Sequence, residues 1–174
     1  MTRPYLIRES EAGDKEAFVT LYRAAFPKED LVPFIQKLLD ERSGVVSLVA
    51  VIDGELAGHV AFTMCGVDGG PGQPALLGPL CVSPDHQRTG IGSALVRRGF
   101  EVLRGQGINQ IQVLGDPNYY QRFGFRSDDR LAPPFPLPEE WRDAWQSVRI
   151  GRQEPLSGTL VVPAPWQHRK LWGP

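Results

Sequence analysis

Cysteine is scarce in this chain: Cys65 and Cys81 stand alone among 174 residues, with no Cys-x-x-Cys spacing and no dense grouping with the 3 histidines. Neither a disulfide framework nor a cysteine-based zinc site is indicated, because both need more ligands at closer spacing. What remains is a pair of buried thiols packing as small hydrophobes. An excess of one charge is lacking too. Lys plus Arg total 19 against 20 Asp plus Glu, for a net charge of −1, so nothing calls for a nucleic-acid partner. No apolar run approaches the roughly 20 residues that span a bilayer. Residues 1–5 carry charge and a proline where a targeting segment would be apolar. The expectation is a cytoplasmic protein with no membrane or nucleic-acid partner and no metal. Lysine is absent between Lys37 and Lys170, which removes the GxxxxGKS/T loop of nucleotide-triphosphate binders.

An apolar fraction of 41% suffices to fill one core, so residues 1–174 are expected to form a single domain. No linker, internal repeat or low-complexity tail interrupts them. Residues 5–8 read as a short strand. The next stretch places Ala17, Phe18, Leu21, Tyr22 and Ala25 on one helical face, with Asp14 as its cap. Leu31, Phe34, Ile35, Leu38 and Leu39 mark a second helix over 30–42, whose Pro33 is tolerated in the first turn. The period then changes to that of strands. Two β-rich runs flank Asp53-Gly54, a strong hairpin signal. A Gly/Pro loop over 66–75 leads to an apolar strand that Pro84 ends. Ile91, Leu95, Val102 and Leu103 face a helix closed by Gly105 and Gly107. A strand over 111–115, a short helix near Tyr119–Arg122 and a strand from Phe125 follow. Residues 131–141 are too proline-rich for regular structure, and a C-terminal strand pair over about 145–163 completes the sheet. The fold class expected is α/β (α+β): a central mixed, mostly antiparallel sheet flanked by helices on both faces.

The stretch "QRTGIGSAL", residues 87–95, puts Gly90 and Gly92 where that helix begins. A helix N-terminus has backbone N–H groups without internal partners and a partial positive charge, so an anion is its natural occupant. Glycines at alternate positions let phosphate oxygens approach the amides, and Gln87, Arg88, Thr89 and Ser93 add side-chain donors. A pyrophosphate suits the site. A dinucleotide fingerprint does not, because Leu95 stands where its third glycine belongs and no acidic ribose partner follows. A strand-to-helix turn without any ligand is the alternative left by the glycines alone.

The wider context, "LLGPLCVSPDHQRTGIGSALVRRGFEVLRGQGINQIQVLGDPNYYQRFGF" at residues 76–125, resembles the core of the GNAT superfamily of acyl-CoA-dependent N-acetyltransferases. Gln87-Arg88-Thr89-Gly90-Ile91-Gly92 is similar to that family's pyrophosphate signature, Q/R-x-x-G-x-G/A. The preceding LCVSP looks like its fourth strand, and YYQRFGF looks like its closing Tyr-x-x-x-Gly-Phe segment. The resemblance implies the GNAT acyl-CoA N-acyltransferase fold and acetyl-CoA as co-substrate. It implies that Gln87, Arg88, Thr89, Gly90, Ile91, Gly92 and Ser93 hold the pyrophosphate. The pantetheine arm would lie along Leu80, Cys81 and Val82 like an added strand. Gly78-Pro79 would supply the bulge common on that strand. Gly115-Asp116-Pro117 would turn the chain over the cofactor, with Asp116 and Tyr119 beside it.

Acetyl transfer to an amine needs a base, an oxyanion donor and an acid for the departing sulfur. The resemblance assigns the acid to Tyr120, four residues before Gly124, although a one-residue slip would exchange it with Tyr119. The backbone N–H of Val82 is the expected oxyanion donor. Several relatives carry a glutamate base on the fourth strand, whereas Leu76 to Leu80 here hold no carboxylate. His59, on the third strand, is the preferred candidate over His86, Asp85 and Glu55, with a relay of water to solvent as the alternative. The expected acceptor is a primary amine of a small molecule, handled by a monomer or homodimer. A protein N-acetyltransferase and a non-catalytic acyl-CoA sensor or interaction module are the other readings. Phe135, Trp141 and Trp145 would either wall an acceptor cleft or, together with Trp166 and Trp172, fill a core or interface.

Overall fold

The computed structural model describes residues 4–41 and 44–174. The chain forms two compact units, one comprising the residues up to Phe62 together with Gly78–Glu101, the other Thr63–Leu77 with Val102–Pro174.

In the first unit, β1 (Leu6–Glu9) pairs antiparallel with β2 (Val45–Ile52) in the register Leu6↔Val51 to Glu9↔Leu48. β2 turns into β3 (Glu55–Met64) through Asp53 at φ 50° and Gly54 at φ 81°. Two successive left-handed residues are what a two-residue hairpin of matching twist requires. Helix α1 (Lys15–Ala25) buries Phe18, Leu21 and Tyr22, and α2 (Val32–Asp40) buries Ile35 and Leu38. Pro33 sits in the first turn of α2, where its missing N–H has no acceptor to lose. The last residue expected in that helix, Arg42, lies outside the described residues.

Asp14 stands at the N-cap position of α1, yet its carboxylate makes no cap bond to that helix. It accepts both guanidinium nitrogens of Arg8 at 2.8 Å and the backbone N–H of Glu11 at 2.7 Å. A bidentate charged partner outcompetes a neutral amide. The Arg8 guanidinium accordingly holds the Asp14 carboxyl below the usual carboxylate range.

The second unit carries the start of β5 (Ala75–Val82), which pairs parallel with β6 (Gln110–Leu114) in the register Ala75↔Ile111 to Leu77↔Val113. β6 pairs antiparallel with β9 (Trp145–Arg149), which also takes the two-residue β7 (Arg126–Ser127). The strand order is β1-β2-β3 in the first unit and β5-β6-β9-β7 in the second. Helix α3 (Ile91–Gly105) runs between β5 and β6 in sequence.

A smaller sheet departs from the sequence expectation. β10 (Gly158–Val161) does not join β9 but lies between β4 (Gly66–Asp68), antiparallel, and β8 (Leu131–Ala132), parallel. Glycine and proline density made residues 66–75 and 131–141 read as loops. The strands they yield are only three and two residues long, too short for alternation to show.

Candidate functional site

In the first unit, β5 gives way at Ser83 to a 3-10 turn over Pro84–His86, and α3 starts at Ile91. Two residues between them adopt left-handed backbone, Arg88 at φ 62° and Gly90 at φ 86°. The turn is braced from within. Gln87 Nε2 donates to the Val82 carbonyl at 3.3 Å, Thr89 Oγ1 donates to the His86 carbonyl, and Ser83 N–H donates to the Ala57 carbonyl at 2.8 Å. Ala94 N–H makes the first helical bond, to the Gly90 carbonyl at 3.0 Å. The N–H groups of Ile91, Gly92 and Ser93 precede it and have no acceptor inside the helix.

A Cβ at Gly90 would meet nothing within 4 Å, so its glycine answers to backbone conformation and leaves open space in front of the helix start. Arg88 and Gln87 are exposed beside it. Amide donors, a cation and open space at the start of a fifteen-residue helix fit a pyrophosphate group.

Leu80, Cys81 and Val82 form the end of β5, with Cys81 buried and its neighbours half-buried. Burial pushes the Cys81 thiol up to about 12, as it does Cys65, so both behave as inert thiols. The Cys81 thiol meets the Tyr22 hydroxyl. Tyr22 in turn contacts His59 Nδ1 at 2.6 Å, His59 Nε2 contacts Ser47 Oγ at 2.8 Å, and Ser47 Oγ contacts Ser10 Oγ at 2.7 Å.

His59 is fully buried, and burial lowers its pKa to about 3. The ring is therefore neutral at pH 7, with one N–H and one lone pair, and both nitrogens are engaged within the protein. With no exposed surface, the His59 ring does not meet a molecule in solvent directly. Any proton reaching it passes through Tyr22 or Ser47, partners that sequence reasoning missed because Tyr22 reads as one more apolar face residue. His86 is half-buried, while Asp85 and Glu55 are exposed.

In the second unit, β6 ends at Leu114. Gly115 follows, and Asp116 caps the single helical turn α4 (Pro117–Tyr120) by accepting Asn118 N–H at 2.9 Å on Oδ1. Asp116 is thus a helix cap whatever else it touches. Tyr119 and Tyr120 are both half-buried, their rings edge to face at 5.0 Å, but differ in surroundings. Tyr119 lies under the Arg122 guanidinium, 4.3 Å from ring centroid to Cζ. Tyr120 packs edge to face on Phe125 at 5.6 Å, and burial raises its phenol well above the ordinary value. Gly124, at φ 92°, turns the chain toward Phe125.

Trp145, Trp166 and Trp172 are buried and donate their indole N–H groups to Leu131 O, Thr63 Oγ1 and Trp166 O. These three are core residues, whereas Trp141 is 36% exposed. Among the described residues, no group of three or more His, Cys, Asp or Glu could hold a metal ion, and no helix is long and apolar enough to cross a membrane.

Comparison with known proteins converges on one family. Residues 15–125 match the model of the acetyltransferase (GNAT) family. The uncharacterized N-acetyltransferase YjhQ of Escherichia coli K12 is 34% identical over 156 residues, which cover 86% of this chain and 84% of that one. The crystal structure of YhbS from Escherichia coli in complex with CoA superposes with a TM-score of 0.84 at 26% identity, covering 97% of this chain and 96% of the other. A GNAT family acetyltransferase from Brucella melitensis, in complex with acetyl-CoA, gives 0.77 at 28% identity, covering 95% and 100%.

Proposed function

The chain belongs to the GNAT acetyltransferase family, and from that premise we propose that it transfers an acetyl group from acetyl-CoA to a primary amine of a small molecule. The observation that carries the cofactor assignment is the turn at 87–93: left-handed backbone at Arg88 and Gly90, open space beyond Gly90, and helix-start amides with no acceptor inside the helix. The two structural neighbours in complex with CoA and acetyl-CoA support it.

In this reading Gln87 to Ser93 take the pyrophosphate and the backbone of Leu80 to Val82 takes the pantetheine arm. β5 runs five residues beyond Leu77, its last recorded pairing with β6. The neutral amine attacks the thioester carbonyl and a C–N bond forms. The Val82 N–H steadies the oxyanion, and the C–S bond breaks. Tyr120 donates to the departing sulfur, and the proton shed by nitrogen restores it through solvent. Because burial raises the Tyr120 phenol, it stays protonated through the neutral and mildly alkaline range. It then acts first as a hydrogen-bond donor to the developing thiolate.

One observation favours a second reading, an acyl-CoA-binding module without turnover: Leu76 to Leu80 of β5 contain no carboxylate to serve as base. Calorimetry with acetyl-CoA on wild type and Gly92→Glu, followed by CoA release across a panel of small amines, separates the cases. Binding lost in the variant, with CoA released by some amine, is the expected result. Binding without release from any amine supports the second reading, and no binding in either protein removes both.

A further inference from the structure

We infer that Gly115 is a positioning residue for Tyr120: the side chain missing at 115 is the space in which the tyrosine ring is seated. The inference rests on the reading of Tyr120 as donor to the leaving sulfur and deepens it. A Cβ on Gly115 would fall on Tyr120 Cε2 and lie 3.0 Å from Cδ2 and 3.4 Å from Cζ. Gly115 is not among the glycines with left-handed backbone, so conformation does not require a glycine here. The ring does.

The peptide beneath the ring is held from both sides. Gly115 N–H donates to the Ala144 carbonyl at 3.0 Å, and Gln146 Nε2 donates to the Gly115 carbonyl at 3.1 Å. Gln146 is 1% exposed, so this amide is a fixture of the interior. The main chain reaching Tyr120 is fixed as well, because Tyr120 N–H donates to the Asp116 carbonyl at 3.0 Å. Tyr119 and Phe125 stand edge-on against the ring. With the backbone clamped and the flanks packed, a methyl group at 115 moves the ring. The phenol oxygen, at the far end of that ring, moves with it. A donor must hold its place to within about 0.5 Å to act on a developing charge.

The test is a pair of double-mutant cycles on the full chain. CoA release with the best amine of the panel is measured for wild type, Gly115→Ala, Tyr120→Phe and the combination, and thermal midpoints are measured for Gly115→Ala with and without Tyr120→Ala. Gly115→Ala is expected to lower kcat about tenfold or more while KM for acetyl-CoA stays within about twofold. In the Tyr120→Phe background, where the hydroxyl is already gone, it should change kcat less than about twofold. Its loss in thermal midpoint should shrink once Tyr120→Ala removes the ring. Equal fold-losses in both backgrounds, or unchanged kcat in Gly115→Ala, overturn the inference and leave the reading of Tyr120 standing. Full activity in Tyr120→Phe, or no amine turned over at all, overturns that reading first and the inference with it. If Gly115→Ala alone does not fold, the pair with Tyr120→Ala decides: recovered folding supports the steric assignment, and failure to recover overturns it.

Discussion

Gly90 and Gly115 each lie in a strand-to-helix connection, one in the first unit and one in the second, and they are glycines for opposite reasons. At Gly90 the backbone is left-handed, φ 86°, and a Cβ would project into open space. At Gly115 the backbone makes no such demand, and a Cβ would collide with the Tyr120 ring. The first glycine shapes a main-chain cradle that stays open to solvent. The second makes room for one side chain inside a packed cluster. A glycine in a sequence motif therefore says nothing by itself about which of these it does.

Asparagine distinguishes the two sites most sharply. It tolerates left-handed backbone better than alanine, but it is larger. At 115, where volume governs, Gly115→Asn should destabilise more than Gly115→Ala, with overpacking of about 1–3 kcal/mol for the smaller change. At 90, where conformation governs, the order should reverse, with Gly90→Ala costing about 1–2 kcal/mol and Gly90→Asn less. Urea denaturation of the four variants reads both orders. The same rank order at both positions would mean that the two glycines are required for the same reason.

The same division explains what the sequence discloses. The turn at 87–93, the hairpin at Asp53-Gly54 and the amphipathic faces of α1 and α3 are legible because backbone conformation and helical period are local properties. The role of Gly115 is not local. It depends on Gln146 and Ala144, some thirty residues away in sequence, and no spacing rule announces them. The small sheet of β4, β10 and β8 escapes for a related reason, since its strands are too short to carry a pattern and its order joins distant segments. His59 was legible as an interesting residue, but its burial between Tyr22 and Ser47 was not. Its partners come from α1 and β2.

The two units also differ in what they bury as polar chains. The first unit's chain runs Ser10–Ser47–His59–Tyr22, with a titratable ring at its centre. The second unit's chain passes from Leu156 N–H to Gln110 Oε1, from Gln110 Nε2 to Gln112 Oε1 and from Gln112 Nε2 to Asp128 Oδ2, with carboxamides at its centre. Carboxamides do not titrate. His59 is held neutral, its pKa lowered from 6.5 to about 3 by burial and only partly restored by Asp14. The unfolded chain therefore binds a proton at His59 below pH 6.5 that the folded chain refuses until near pH 3. The stability this group contributes is complete above pH 6.5 and is lost as pH falls. From pH 7.5 to 5.5 the loss is about 1.4 kcal/mol, a figure that requires only that the folded pKa lie well below 5.5. Asp14, whose lowered pKa acts in the same direction, changes protonation at lower pH and adds little in this window. Urea denaturation at the two pH values should show that difference in wild type. In His59→Gln, where the central group no longer titrates, the difference should shrink by about 1.4 kcal/mol. A Gln110→Met change, which breaks the second unit's chain, should lower stability by the same amount at both pH values. If the pH difference instead survives in His59→Gln, the buried imidazole is not its source and the contrast between the two chains fails.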